Sequence, residues 1–130
     1  MAKTRLRVLM AFAVIAGCIY AAGQAEKKTT VEGTLVSSAC YLESTSHPTG
    51  NDMGGKKACG SDCLKHGDPG GLVTKEKEFH ILVAPSLALA PYVGQQIRVT
   101  GTDHRGTIAV EKAEVANDGN WEEINLKSKI

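Results

Sequence analysis

Alternation of apolar and polar positions dominates the chain from residue 30 onward. Val31 and Leu35 alternate with polar neighbours across residues 30–37, and this period of two predicts a half-buried β-strand. Similar patterns predict four more strands, at residues 72–74, 79–83, 96–102 and 107–115. A charged turn at residues 75–78 joins the second and third strands into a hairpin, and a turn at residues 103–106 joins the last two. The chain is therefore predicted to be mainly β.

The stretch from residue 43 to residue 71 has the composition of a loop, rich in Gly, Ser, Thr, Asn and Asp. Loops of this length in compact domains are usually functional or disordered. Residues 56–66 inside it predict a short helix that ends at Gly67. A further helical turn is expected between Pro85 and Pro91.

Five short strands, with a hairpin in the middle and a small helix before the fourth, predict a five-stranded OB-like Greek-key barrel. Over residues 30–116 the chain also resembles small exported bacterial OB-like proteins. The residues that carry this resemblance are Val31-x-Gly-Thr-Leu-Val, Cys40-Tyr41, Cys59-x3-Cys63, Gly71-Leu72, Tyr92-Val-Gly94 and Val99-Thr-Gly101. The resemblance implies a fold and a compartment, but it supplies no reaction to transfer to these positions.

The first residues read as a bacterial secretory signal. Lys3, Arg5 and Arg7 precede an apolar run at residues 8–16, and this run is shorter than the roughly 20 residues a membrane span needs. Residues 15–18, Ile-Ala-Gly-Cys, resemble a lipobox, so we expect a signal peptide over residues 1–17 and lipidation of Cys18. Cleavage after residue 25 is the alternative. Both sites predict export to the periplasm or cell envelope; the lipobox adds a membrane anchor, and the alternative leaves a soluble protein.

The rest of the chain is predicted to be a tether at residues 18–29, one OB-like domain at residues 30–116, and a polar tail at residues 117–130 of uncertain order. The whole chain has 15 Lys and Arg against 14 Asp and Glu, so loss of the three basic signal residues leaves a slightly acidic protein. Nucleic-acid binders normally carry the opposite charge in a clustered face. We therefore expect no nucleic-acid partner.

The cysteine count is the strongest functional clue. Once Cys18 is lipidated or removed, Cys40, Cys59 and Cys63 remain, an odd number in an oxidising compartment. One interpretation is a disulfide from Cys40 to Cys59 or Cys63, which would attach the loop to the first strand and stabilise the fold by about 3–4 kcal/mol. That pairing leaves the third thiol unexplained.

A metal site is the second interpretation. On a helix, Cys59, Cys63 and His66 would share one face, and Cys40 lies at the mouth of the same loop. A Cys3His set, with His66 or alternatively His47 as fourth ligand, suits Zn(II), and thiolates also favour Cu(I).

Enzyme chemistry has little support in the sequence. Covalent haem needs Cys-x-x-Cys-His, and no hydrolase motif or phosphate loop is present. We therefore expect a non-enzymatic envelope lipoprotein with a disulfide-stapled interaction domain for an unknown envelope partner. The alternatives are a metal-binding protein and a thiol redox protein that uses Cys59 and Cys63.

Overall fold

A computed structural model describes residues 27–44, 46, 49, 51 and 58–127, and it is mostly β. The strands are β1 Lys28–Ser37, β2 Gly70–Val73, β3 Phe79–Val83, β4 Gln96–His104, β5 Thr107–Asn117 and β6 Asn120–Glu123. The helices are α1 Ser38–Glu43, α2 Cys59–Lys65 and α3 Ser86–Leu89, and a 3₁₀ turn at Ala90–Tyr92 follows α3.

The six strands form one sheet in the order β3-β2-β1-β4-β5-β6, with neighbouring strands antiparallel. β3 also pairs with β5 in parallel, for example Leu82 with Ile108, so the first five strands close into a ring and β6 lies outside it on β5. β1 has a different neighbour on each side: most of its length pairs with β4, and its end pairs with β2. Gly33 lies where β1 changes partner, and a Cβ there would overlap the carbonyl oxygen of Val73.

The core lies inside this closed sheet and continues under two helices. Leu35, Ile97 and Ile108 project from the strands and are fully buried. Leu64 from α2 and Leu89 from α3 are buried in the same cluster. Burying a leucine side chain stabilises a fold by roughly 1.5–3 kcal/mol, so Leu64 attaches α2 firmly to the core.

Several predictions from the sequence are confirmed and others need correction. The mainly β class, the hairpin, the short cysteine-bearing helix and the stop at Gly67 (φ +99°) are confirmed. The described sheet has six strands rather than five, because residues 120–123 of the predicted tail pair with β5. The first strand begins at Lys28, within the predicted tether.

Helix α1 was not predicted at all, although it carries Cys40. The predicted signal peptide, its lipobox and the alternative cleavage position all lie outside the described residues. Among those residues, no helix is both long and apolar enough to cross a bilayer.

Candidate metal centre

Three cysteines from two separate helices converge on one point. Cys40 lies on α1, and Cys59 and Cys63 lie one turn apart on α2. Their Sγ atoms all lie within 4.8 Å of one another, and the Sγ atoms of Cys40 and Cys63 are 3.9 Å apart. The structure therefore brings together the three cysteines that the sequence singled out.

The end of β1 positions Cys40. The Ser37 hydroxyl caps α1 by accepting a hydrogen bond from the Cys40 backbone N–H at 3.4 Å. The Ser38 N–H donates to the Pro69 carbonyl at 3.1 Å, which ties the first turn of the helix to the residue before β2. Both contacts fix the backbone of the first turn, and so they set where Cys40 lies relative to the sheet.

An aromatic pair also attaches α1 to the sheet. The rings of Tyr41 and Phe79 stack with centroids 4.8 Å apart and planes inclined by 16°. Gly71 lies beneath Phe79, where a Cβ would overlap the ring edge. Stacked aromatic pairs of this kind contribute about 0.5–1.5 kcal/mol beyond the area they bury.

A side chain from the long loop holds α2 by its first turn. Ala58, the residue before the helix, makes no side-chain cap. Asn51, which is distant in the chain, caps the helix instead. Its Oδ1 accepts a hydrogen bond from the Ser61 N–H at 2.9 Å, and its Nδ2 donates one to the Ser61 hydroxyl at 3.0 Å. One of the free backbone N–H groups at the helix start is satisfied in this way.

The spacing of the sulfurs fits a shared metal ion better than a disulfide. An S–S bond is about 2.05 Å long, and the three described cysteines are free thiols. Two thiolates about 2.3 Å from a tetrahedral ion lie about 3.8 Å apart. The separation of 3.9 Å between Cys40 and Cys63 is close to that value.

Burial and mutual proximity shape the chemistry of these thiols. Cys40 is buried with 7% of its surface exposed, and Cys59 and Cys63 are half-buried. Burial raises the pKa of the Cys63 thiol to about 12, and the adjacent Cys40 and Cys59 add to the shift because thiolates repel one another. In the reduced, metal-free protein Cys63 therefore stays protonated at neutral pH. Metal binding to Cys63 would therefore have to release its proton, which makes binding depend on pH.

The predicted fourth ligand is not part of the cluster. Helix α2 ends at Lys65, and His66 is the exposed residue that caps it. Its Nδ1 lies 2.7 Å from the Asp62 backbone carbonyl, and no imidazole among the described residues joins the group of three sulfurs. The structure thus brings three of the four predicted ligands together, and His66 as the fourth ligand stays a prediction. The alternative ligand His47 lies outside the described residues, as does Cys18.

Known proteins give no further guide to this site. No protein family, curated protein or solved structure matches the chain. The three converging thiols are therefore the main structural clue to function. The resemblance to exported OB-like proteins remains a prediction.

The residues that position the thiols were missed in the sequence. Ser37 is a favoured N-cap residue next to Cys40, so a local signal for α1 was present. Asn51 and Leu64 gave no such signal, because the contacts they make join segments distant in the chain.

Proposed function

We propose that this protein binds a thiophilic metal ion through Cys40, Cys59 and Cys63. The observation that carries the proposal is the convergence of three sulfurs within 4.8 Å from two separately anchored helices. A disulfide needs two thiols, whereas a metal site uses all three and accounts for the odd count. Thiolate ligands select Zn(II), Cu(I) or iron–sulfur chemistry among the common metals.

The scaffold proposed for this site is an OB-like barrel. Support comes from the closed order β1-β2-β3-β5-β4, with its parallel contact between β3 and β5 and a short helix between β3 and β4. In this arrangement α1 and α2 lie in the connection between β1 and β2, with Cys40 buried and Cys59 and Cys63 half-buried.

The proposed location is the cell envelope, with the chain exported and anchored through lipidated Cys18. The basic residues, apolar run and lipobox of the first 18 residues support this. We expect radiolabelled fatty acid to be incorporated into the wild-type chain and not into a Cys18→Ser variant. Equal labelling of both would contradict the lipobox assignment.

The metal proposal is tested on the full-length chain, reduced and handled without oxygen. The protein is dialysed against Zn(II) or Cu(I), and bound metal is measured per chain. We expect one ion per chain for the wild type, and the same for Cys18→Ser, which removes the one cysteine outside the cluster. Each of Cys40→Ser, Cys59→Ser and Cys63→Ser should lower affinity by about 100-fold or more, since even ligand-supporting residues are worth 10–100-fold.

The rival function is the disulfide-stapled interaction domain. The observation behind it is that the sulfurs of Cys40 and Cys63, one of the two predicted pairings, are neighbours 3.9 Å apart. Alkylation of denatured protein taken directly from the envelope separates the two. Three reactive cluster thiols together with bound metal support the metal site, and a single reactive cluster thiol without metal would overturn it.

A further inference from the structure

The donors around the cluster are all of one kind. In the described part of the chain, the group of potential ligands holds three cysteine sulfurs and no histidine, aspartate or glutamate side chain. His66 is engaged with the Asp62 carbonyl, and the Asp62 carboxylate is paired with Lys65 at 3.1 Å. Neither side chain belongs to the group of three sulfurs.

Zinc and monovalent copper differ in what they need from such a set. Structural Zn(II) sites are almost always four-coordinate and tetrahedral, and three protein ligands leave Zn(II) with an open position that water must fill. Cu(I) is a softer ion that prefers thiolates, and three of them complete its coordination in a plane. A site whose described side-chain ligands are three thiolates, with no His, Asp or Glu among them, therefore suits Cu(I) better.

The size of the sulfur triangle is compatible with an ion in its plane. Three sulfurs about 2.3 Å from a central ion in a trigonal plane lie about 4.0 Å apart. The sulfurs of Cys40 and Cys63 are 3.9 Å apart, and no pair in the cluster exceeds 4.8 Å. Small rotations of the Cys59 side chain would close the remaining difference.

Exposure of the cluster is uneven. Cys40 is buried against the sheet, whereas Cys59 and Cys63 are half-buried on the outer helix. A thiolate or thioether of another molecule can reach an ion in this triangle from the outer side. Such access permits stepwise ligand exchange, which a closed four-ligand site would prevent.

From these observations we infer that the cluster is a three-coordinate Cu(I) site, open on one side for exchange of the ion with another soft donor. This inference rests on the proposed metal-binding function and names its ion. Binding replaces the thiol protons with the cation and changes no oxidation state.

The test compares the two ions on full-length Cys18→Ser protein, kept reduced. Cu(I) affinity is measured by competition with a chromophoric Cu(I) chelator, and Zn(II) affinity with a chromophoric Zn(II) chelator. X-ray absorption of the copper-loaded protein reports the neighbours of the ion. We expect one Cu(I) ion with three sulfur neighbours. Excess Zn(II) should not displace it, and replacement of a histidine should not release it.

His66→Ala and His47→Ala serve as paired controls, because each removes an imidazole that the sequence offers to Zn(II). Cu(I) affinity should change less than about 3-fold in both. Tight Zn(II) binding that resists Cu(I), or a nitrogen neighbour lost in His47→Ala, would overturn the copper assignment and leave the proposed function intact. Failure to bind either ion would overturn the proposed function itself.

Discussion

The closed sheet and the cysteine-bearing helices are stabilised in different ways. The sheet is held by backbone pairing along six strands around a continuous apolar core. Helices α1 and α2 have six and seven residues, too few to be stable alone, and each is held by a few side-chain contacts. The sheet should therefore tolerate changes at the thiols, whereas the thiol geometry depends on a handful of anchors.

Leu64 is where this separation breaks down, because it lies on α2 and is fully buried in the core. We expect Leu64→Ala to lower the free energy of unfolding by about 2–5 kcal/mol and also to weaken metal binding. Ile108→Ala is the matched control, since Ile108 is equally buried but lies on β5. Urea denaturation and metal titration measure both effects. Equal metal affinity in the two variants would show that α2 does not depend on Leu64.

Metal loading should stabilise the protein only through the cysteine cluster. At a free metal concentration 100 times the dissociation constant, the wild type should gain about 2.7 kcal/mol in the free energy of unfolding. Cys59→Ser should gain almost none, while Cys18→Ser should match the wild type. Denaturation with and without metal measures this gain. A gain retained in Cys59→Ser would place the ion elsewhere in the molecule.

Loss of the N-cap of α1 should have a smaller effect on stability than the changes above. Ser37→Ala removes the hydroxyl that accepts from the Cys40 N–H, and loss of an N-cap costs about 1 kcal/mol. We expect metal affinity to fall several-fold, because the Cys40 thiol loses its fixed position. Ser46→Ala, an exposed residue of the following loop, is the control. Unchanged affinity in Ser37→Ala would mean that other contacts, such as the Tyr41–Phe79 stack, suffice to hold α1.

We expect the smallest change in stability from an ion pair on the sheet. Hydrogen bonds from Arg98 at 3.0 Å and Lys112 at 2.9 Å lower the pKa of the Glu114 carboxyl. A lowered folded-state pKa gives stability that is complete above the unfolded value of about 4.3 and is lost as pH falls through the folded value. Thermal denaturation of metal-free protein should therefore show a larger acid loss in the wild type than in Glu114→Gln. Parallel pH profiles would contradict the contribution of this carboxylate.

The sequence predicted the sheet better than the cysteine-bearing helices. The hairpin, the stop at Gly67 and the helical turn between Pro85 and Pro91 were predictable because period and turn residues act locally. Strand β6 was missed since Trp121 stands alone among polar residues and pairs with β5 only in the folded state. Helix α1 was missed because its short length gives almost no periodicity.

The site was predictable in its cysteines but not in its geometry. Helical spacing correctly placed Cys59 and Cys63 on one face, and the loop position of Cys40 brought it near. His66 follows the last residue of α2, its Nδ1 lies 2.7 Å from the Asp62 carbonyl, and it is not among the three converging side chains. A helix end depends on capping and packing, which the spacing of residues along the chain does not reveal.

Native mass spectrometry of the reduced full-length chain, exposed to one equivalent of Cu(I), tests whether Cys40, Cys59 and Cys63 together bind one metal ion. We expect a single species carrying one ion in the wild type and in Cys18→Ser, and loss of that ion in each of Cys40→Ser, Cys59→Ser and Cys63→Ser. A metal-free wild type, or an ion retained in all three cluster variants, would contradict it.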